Sequence, residues 1–258
     1  MSEPAIVVRD VTKSFGGVRA VSNASFELEP GRLTALIGPN GAGKTTLFNV
    51  ITNFYPADAG TISLFGQNPQ TMTPWELADF GVIRTFQTAR VFPGMTTFEN
   101  LLTGAHLHFR GGLLGQMLGL PQTRAGEKRV SDKAMLLLDL IGMAQFRDDA
   151  AADLPMGAQK LLEVARALMA GPRLLLLDEP AAGLNDAETA ELAALLRAVR
   201  ESGVTLLVVE HNMSFVMGSA DHVIVLDAGV IVARGDPAEI QQNARVIEAY
   251  VGRLEETN

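Results

Sequence analysis

Nine consecutive residues, Gly38-Pro39-Asn40-Gly41-Ala42-Gly43-Lys44-Thr45-Thr46, have the types and spacing to hold a polyphosphate. They fit the pattern G-x-x-x-x-G-K-[ST], with Gly38, Gly43, Lys44 and Thr45 in its fixed places. Glycines let the backbone curl so that successive N–H groups point at phosphate oxygens, where a side chain would block the approach. Lys44 can reach the β- and γ-phosphates as a compact charge, and the Thr45 hydroxyl can ligate Mg²⁺. The helix that follows offers its positive N-terminal end to the anion. Context separates this string from a glycine-rich surface turn. Leu33 to Ile37 reads as a short buried strand and Lys44 to Thr52 as a helix, and strand, loop, helix is the setting the motif requires.

A second group of candidates lies far away in the chain. Leu174-Leu175-Leu176-Leu177 is an apolar run that ends in Asp178-Glu179. Residues after the C-terminal end of a buried parallel strand sit at the crevice where ligands bind. Asp178 there would hold Mg²⁺ through water, and Glu179 would accept a proton from the attacking water. Gln87 and His211 each close a predicted strand at the same sheet edge. The Gln87 amide oxygen could touch Mg²⁺ or the attacking water, and His211 could hydrogen-bond the γ-phosphate. Each alone is an ordinary strand-end polar residue; with the loop and the acid pair they form a catalytic set together with Lys44. Gly157 opens a predicted helix from Ala158 to Ala170 and so makes a second backbone anion site. One nucleotide can use both sites if two subunits pair head to tail, each phosphate loop facing the other's Gly157 helix.

These residues must be positioned by the rest of the chain. Its 258 residues, 47% hydrophobic, are enough for one large domain or two lobes around a core. A net charge of −8 makes nucleic acid an unsuitable partner. The absence of cysteine excludes disulfides, thiolate zinc sites and a cysteine nucleophile. Met1-Ser2-Glu3-Pro4 does not read as a secretory signal, and no apolar run approaches the ~20 residues needed to span a bilayer. The expectation is a cytosolic chain whose membrane role, if any, comes through a partner.

In order, residues 5–37 read as a small antiparallel sheet with turns at Gly16-Gly17 and Pro30-Gly31. Phe15, beside the first turn, could stack on a base or be a half-buried turn residue. Thr61 to Gly66 and Gly81 to Phe86 read as strands. Thr73-Pro74-Trp75-Glu76 is a complete helix start, with Trp75 expected to pack against that helix. Residues 88–153 have helical patterning, from Thr97 to Thr103 and from Ser131 to Gly142, around a Gly- and Leu-rich piece from Gly111 to Pro121. Those leucines fill the lobe's own core or form a binding patch; His106 and His108, with no third ligand, read as surface residues. From 158 onward strands and helices alternate: a helix from Asp186 to Glu201 capped by Asn185, a strand from Thr205 to Val209, a hairpin over Val223 to Ala233, and one terminal helix from Ala238 to Val251. The expected class is α/β, a mainly parallel sheet with helices on both faces.

The series Gly38 to Thr46, Gln87, Leu154-Pro155-Met156-Gly157-Ala158-Gln159-Lys160, Leu174 to Pro180, Ala181-Ala182-Gly183-Leu184-Asn185 and His211 resembles, in order and spacing over nearly the whole chain, the motifs of ABC ATPases. Arg84-Thr85-Phe86-Gln87, Phe92-Pro93-Gly94-Met95-Thr96, Glu210-His211-Asn212-Met213 and Asn243 to Tyr250 look like the ATP-binding subunits of branched-chain amino-acid importers. The resemblance implies one ABC ATPase domain over 1–258: a P-loop nucleotide-binding core with an antiparallel β part at 1–87 and 158–240, a helical subdomain at 88–157, and a C-terminal helix at 241–258. It implies that Phe15 stacks on adenine, that Gln87 is the Q-loop, and that Asn185 ends the D-loop. Pro155, Gly157, Gln159 and Asn185 would then face ATP held by a second, same or related, ATP-binding subunit. It further implies two permease subunits on whose cytoplasmic face the dimer docks, and a separate solute-binding protein outside. One departure is plain: Pro155, Met156 and Ala158 stand where the family has Ser, Gly and Gln, so the serine hydroxyl bond to the γ-phosphate is unavailable. Cargo is chosen by the partners, so urea, short amides or a lipid are alternatives to branched-chain amino acids. A permease-free ABC ATPase acting on DNA or the ribosome is a further alternative, but the tandem cassettes, coiled coils, zinc cysteines and basic arms of such proteins are absent from this sequence.

Overall fold

The computed structural model describes residues 3–85, 91–105 and 121–255. Its strands are β1 (Ile6–Phe15), β2 (Val18–Leu28), β3 (Leu33–Ile37), β4 (Ala59–Leu64), β5 (Val82–Arg84), β6 (Leu174–Asp178), β7 (Thr205–Val209), β8 (His222–Asp227) and β9 (Val230–Gly235). The described helices are α1 (Lys44–Ile51), α2 (Pro74–Asp79), α3 (Thr97–Thr103), α4 (Pro121–Leu140), α5 (Met156–Met169), α6 (Asp186–Glu201), α7 (Met213–Ser219), α8 (Pro237–Gln241) and α9 (Ala244–Glu255).

Two sheets result. β2-β1-β4 is antiparallel, and β5-β6-β7-β3-β8-β9 is parallel except for β9, which runs antiparallel to β8. The central strands β3, β6 and β7 are buried along their whole length, as near-continuous apolar parallel strands require. Alternate residues divide between two cores. Leu175, Leu177, Leu206 and Val208 pack with α5, α6 and α7; Leu174, Leu176, Leu207 and Val209 pack with α1 and the antiparallel sheet. All four β6 leucines are fully buried, each stabilising the fold by roughly 1.5–3 kcal/mol relative to exposure. The second face is thus covered largely by β1, β2 and β4, the expected N-terminal antiparallel part, together with α1.

Local signals set the helix starts. Thr73 and Glu76 cap α2 reciprocally, the Thr73 N–H donating to Glu76 Oε2 at 2.7 Å and the Glu76 N–H to Thr73 Oγ1 at 3.2 Å. Thr96 with Glu99 and Asn185 with Glu188 do the same for α3 and α6. Four expectations need correction. α4 begins ten residues earlier than Ser131. α5 begins at Met156, so Gly157 lies in its first turn. The terminal helix is two helices, because the Asn243 side chain accepts the Arg245 N–H at 3.0 Å and restarts the chain as α9. Trp75 is 59% exposed on α2: the capping box, not the ring, holds that helix start. His106, His108 and the stretch from Gly111 to Leu120 lie outside the described residues.

Candidate functional site

Because β3, β6 and β7 are parallel neighbours, their C-terminal ends open on one edge of the sheet. β3 delivers the loop Gly38–Gly43 into α1, β6 delivers Asp178 and Glu179, and β7 delivers Glu210 and His211. Topology therefore gathers the distant sequence candidates into one site. β5, next to β6 on the same edge, leads toward Gln87, which lies outside the described residues.

The loop is wedged against its surroundings. Gly38 (φ +151°) runs so close to the Leu226 carbonyl that any Cβ would collide with it, and Gly43 (φ +99°) lies equally close to the Ala20 carbonyl. The Gly229 N–H donates to Ala42 O at 2.9 Å, so the β8–β9 turn braces the loop from outside. Pro39, Asn40 and Gly41 form its crest, and Thr45 and Thr46 follow Lys44 in the first turn of α1, with Thr45 exposed. Lys44 is 7% exposed and folds back, its Nζ donating to Gly38 O at 2.7 Å and Pro39 O at 3.1 Å.

Asp178 closes β6 and is buried. Burial raises its carboxyl above the usual range; the Arg84 guanidinium, at 3.6 Å, and then Lys44 pull it back. Arg84 also donates to Asn49 Oδ1 at 2.7 Å and Thr52 Oγ1 at 3.0 Å, and lies over the Phe48 ring at 4.6 Å. It thus ties α1 to β6. Arg84→Met would leave Asp178 buried beside one cation fewer. The expected result is a loss of about 3–5 kcal/mol if the carboxylate stays charged, to be read by urea unfolding of both proteins.

Glu179 has left-handed backbone, φ +49°. For a non-glycine residue that costs about 1–3 kcal/mol and persists only where neighbours impose it. Here the Glu179 N–H donates to Val209 O at 2.9 Å and its carbonyl accepts from Lys160 Nζ at 3.3 Å. Its Oε1 lies 3.6 Å from His211 Nδ1. Burial lowers the Lys160 ammonium, while Glu163, Glu210 and Glu179 raise it again. Lys160 and Glu210 stand inside motif strings named above, but only the tertiary fold shows what each touches here.

Mg²⁺ fits what is present. Among the described residues no cluster of three or more acidic or histidine side chains could hold a metal alone. Mg²⁺ commonly binds through one or two protein groups, substrate phosphates and water. Asp178 and the Thr45 hydroxyl at the phosphate cradle would supply that number, with Gln87, outside the described residues, as the third candidate.

Phe15 is 44% exposed at the β1–β2 turn, its ring edge-on to Tyr55 at 5.5 Å. The residues assigned to a second subunit are placed differently from one another. Pro155 is the N-cap of α5 and makes no side-chain capping bond. Gly157 is buried, and the Glu188 carboxylate occupies the space where a side chain would begin. Gln159 Nε2 donates to Leu154 O at 2.9 Å and Ala152 O at 3.2 Å. Asn185 Oδ1 accepts the Glu188 N–H at 3.0 Å.

Phosphate loop, strand-end acid pair and adjoining histidine on one edge of a parallel sheet define a phosphate-loop nucleotide hydrolase. The ABC transporter family matches residues 21–182, and the branched-chain amino acid ATP-binding cassette transporter family matches residues 230–255. The chain belongs to the ABC transporter family of ATPases, in its branched-chain amino acid ATP-binding cassette branch. It is 42% identical to the high-affinity branched-chain amino acid transport ATP-binding proteins BraF of Pseudomonas aeruginosa and LivG of Escherichia coli, over 98% of this chain and 99% of each relative. A nucleotide-free ATP-binding cassette from an ABC transporter superposes with a TM-score of 0.82 at 31% identity, covering 96% of this chain and 98% of that one.

Proposed function

We propose that this chain is the ATP-binding and ATP-hydrolysing subunit of an importer for branched-chain amino acids. The sheet edge on which Lys44, Asp178, Glu179 and His211 meet supports the hydrolytic part of this reading, and the 42% identity to the branched-chain amino acid transport proteins BraF and LivG supports the import part. Lys44, the loop N–H groups and Thr46 would bind the phosphates, and Phe15 would stack on adenine. Thr45, Asp178 and Gln87 would hold Mg²⁺, which when bound offsets charge on the β- and γ-phosphates. Glu179 would take the proton of the attacking water, and His211 would steady the γ-phosphate. Pro155, Gly157, Gln159 and Asn185 would face ATP on a second, same or related, subunit.

Residues 1–87 and 158–240 would then work as the nucleotide core, 88–157 as the helical subdomain, and 241–258 as a C-terminal appendage. The helical part would pass dimer closure to two permease subunits, with a solute-binding protein on their outer side. A groove lined by Ile83, Phe92, Thr103 and Arg166 offers a seat for a permease's cytoplasmic helix, with Phe92 and Met95 exposed beside it. No described helix is long and apolar enough to cross a membrane; attachment to the cytoplasmic face would come through the permease subunits.

The test is reconstitution in lipid vesicles with its permease pair. Leucine-loaded binding protein should stimulate ATP hydrolysis; stimulation by urea- or amide-loaded protein instead would change the cargo. No stimulation by any loaded protein would remove the transport reading. Within the same reading, Pro155→Ser would restore one neutral hydrogen bond to the partner's ATP. Such a bond is worth about 0.5–1.5 kcal/mol, so ATP-dependent dimerisation, followed by light scattering, should tighten roughly twofold to tenfold.

A further inference from the structure

Glu210 is fully buried, yet it follows the wholly buried strand β7 and has no place in the phosphate or metal chemistry above. Its two carboxylate oxygens serve different segments. Oε1 accepts the Ala181 N–H at 2.7 Å, in the turn that leads from Glu179 to α6. Oε2 accepts the His211 N–H at 2.9 Å and the Asn212 N–H at 3.2 Å. The nearby Lys160 ammonium, from α5, bonds the Glu179 carbonyl. A buried charge is expensive, and an apolar residue of similar volume would often stabilise the fold as well or better. What an apolar residue could not do is join two backbone segments through three N–H groups.

From this geometry we infer that Glu210 is a positioning residue for hydrolysis: it holds the segment after Glu179 and the segment carrying His211 as one unit. Glu179 and His211 follow different strands, and their side chains lie 3.6 Å apart. Their backbones are joined directly by the Glu179 N–H to Val209 O bond on one side of the pair. Glu210 joins them on the other. With both joints made, a proton acceptor and a γ-phosphate ligand keep a fixed spacing while Lys160 links that unit to α5.

The inference rests on the hydrolytic reading, so the unmodified protein must first hydrolyse ATP; if it does not, that reading fails. Glu210→Gln keeps the shape but offers an amide N–H₂ where one oxygen accepted. Loss of alignment should lower kcat about tenfold to a hundredfold with KM and calorimetric ATP affinity within roughly twofold of the parent, the loop being untouched. In a His211→Ala background the same substitution should cost less than about twofold, because the residue it positions is gone. Equal losses in both backgrounds, or a kcat equal to the parent's, would overturn the inference. Glu210→Asp, which keeps the charge on a shorter arm, should recover part of the rate and provides the same comparison if the glutamine variant does not fold.

Discussion

Glu179→Gln should bind ATP as the unmodified chain does, hydrolyse it about a hundredfold to ten-thousandfold more slowly, and accumulate as a closed dimer. The magnitude is that of removing a positioned general base. Glutamine matches glutamate in shape and can still orient a water, but it cannot take the proton. The groups that grip the nucleotide lie elsewhere, on the loop between β3 and α1, so affinity should not move. The left-handed backbone at this position is imposed by the Val209 and Lys160 contacts to main-chain atoms, which the substitution leaves in place. Hydrolysis assays, calorimetry and light scattering with ATP read the three effects separately. A variant that turns over at the parent rate would show that another group accepts the proton.

Lys44→Ala should act on binding. A hydrogen bond to a charged group is worth about 1.5–3 kcal/mol, so losing the lysine contact to the β- and γ-phosphates should weaken ATP roughly tenfold to a hundredfold. Lys44 Nζ also bonds the Gly38 and Pro39 carbonyls, so the substitution removes these two loop contacts as well. Calorimetric titration of both proteins measures the difference. Unchanged affinity would mean that the ammonium stays on the loop carbonyls when nucleotide is bound.

The parts of the site that could be read from sequence are those with a local signature. The phosphate loop, the leucine strand ending in two acids, and the Asn185 and Thr73 caps each declare themselves within a few residues, and the structure places them as expected. Local competition between signals explains two misses. Asn243 interrupts a continuous apolar periodicity by bonding the Arg245 N–H, and α7, only seven residues long, is started by Asn212 in the same way. The start of α5 was misplaced because Gly157 resembled a helix boundary, whereas its lack of a side chain makes room for Glu188. Arg84, Lys160 and Glu210 illustrate a deeper limit. Each bonds a group between 19 and 94 residues away in the chain, and no spacing rule spans such gaps.

Four identical side chains in β6 carry a further consequence. A strand with polar and apolar faces can be paired in only one alignment, since a one-residue slip exposes its apolar set. Leu174 to Leu177 has no such safeguard: moved by one place or two, it would still present leucine to both cores. What cannot be moved is the end of the run. Asp178 meets Arg84, and the Glu179 N–H meets the Val209 carbonyl. The acids assigned to metal and water therefore also act as the stop that indexes the strand, so that neutralising both at once should blur the folded alignment itself as well as the chemistry.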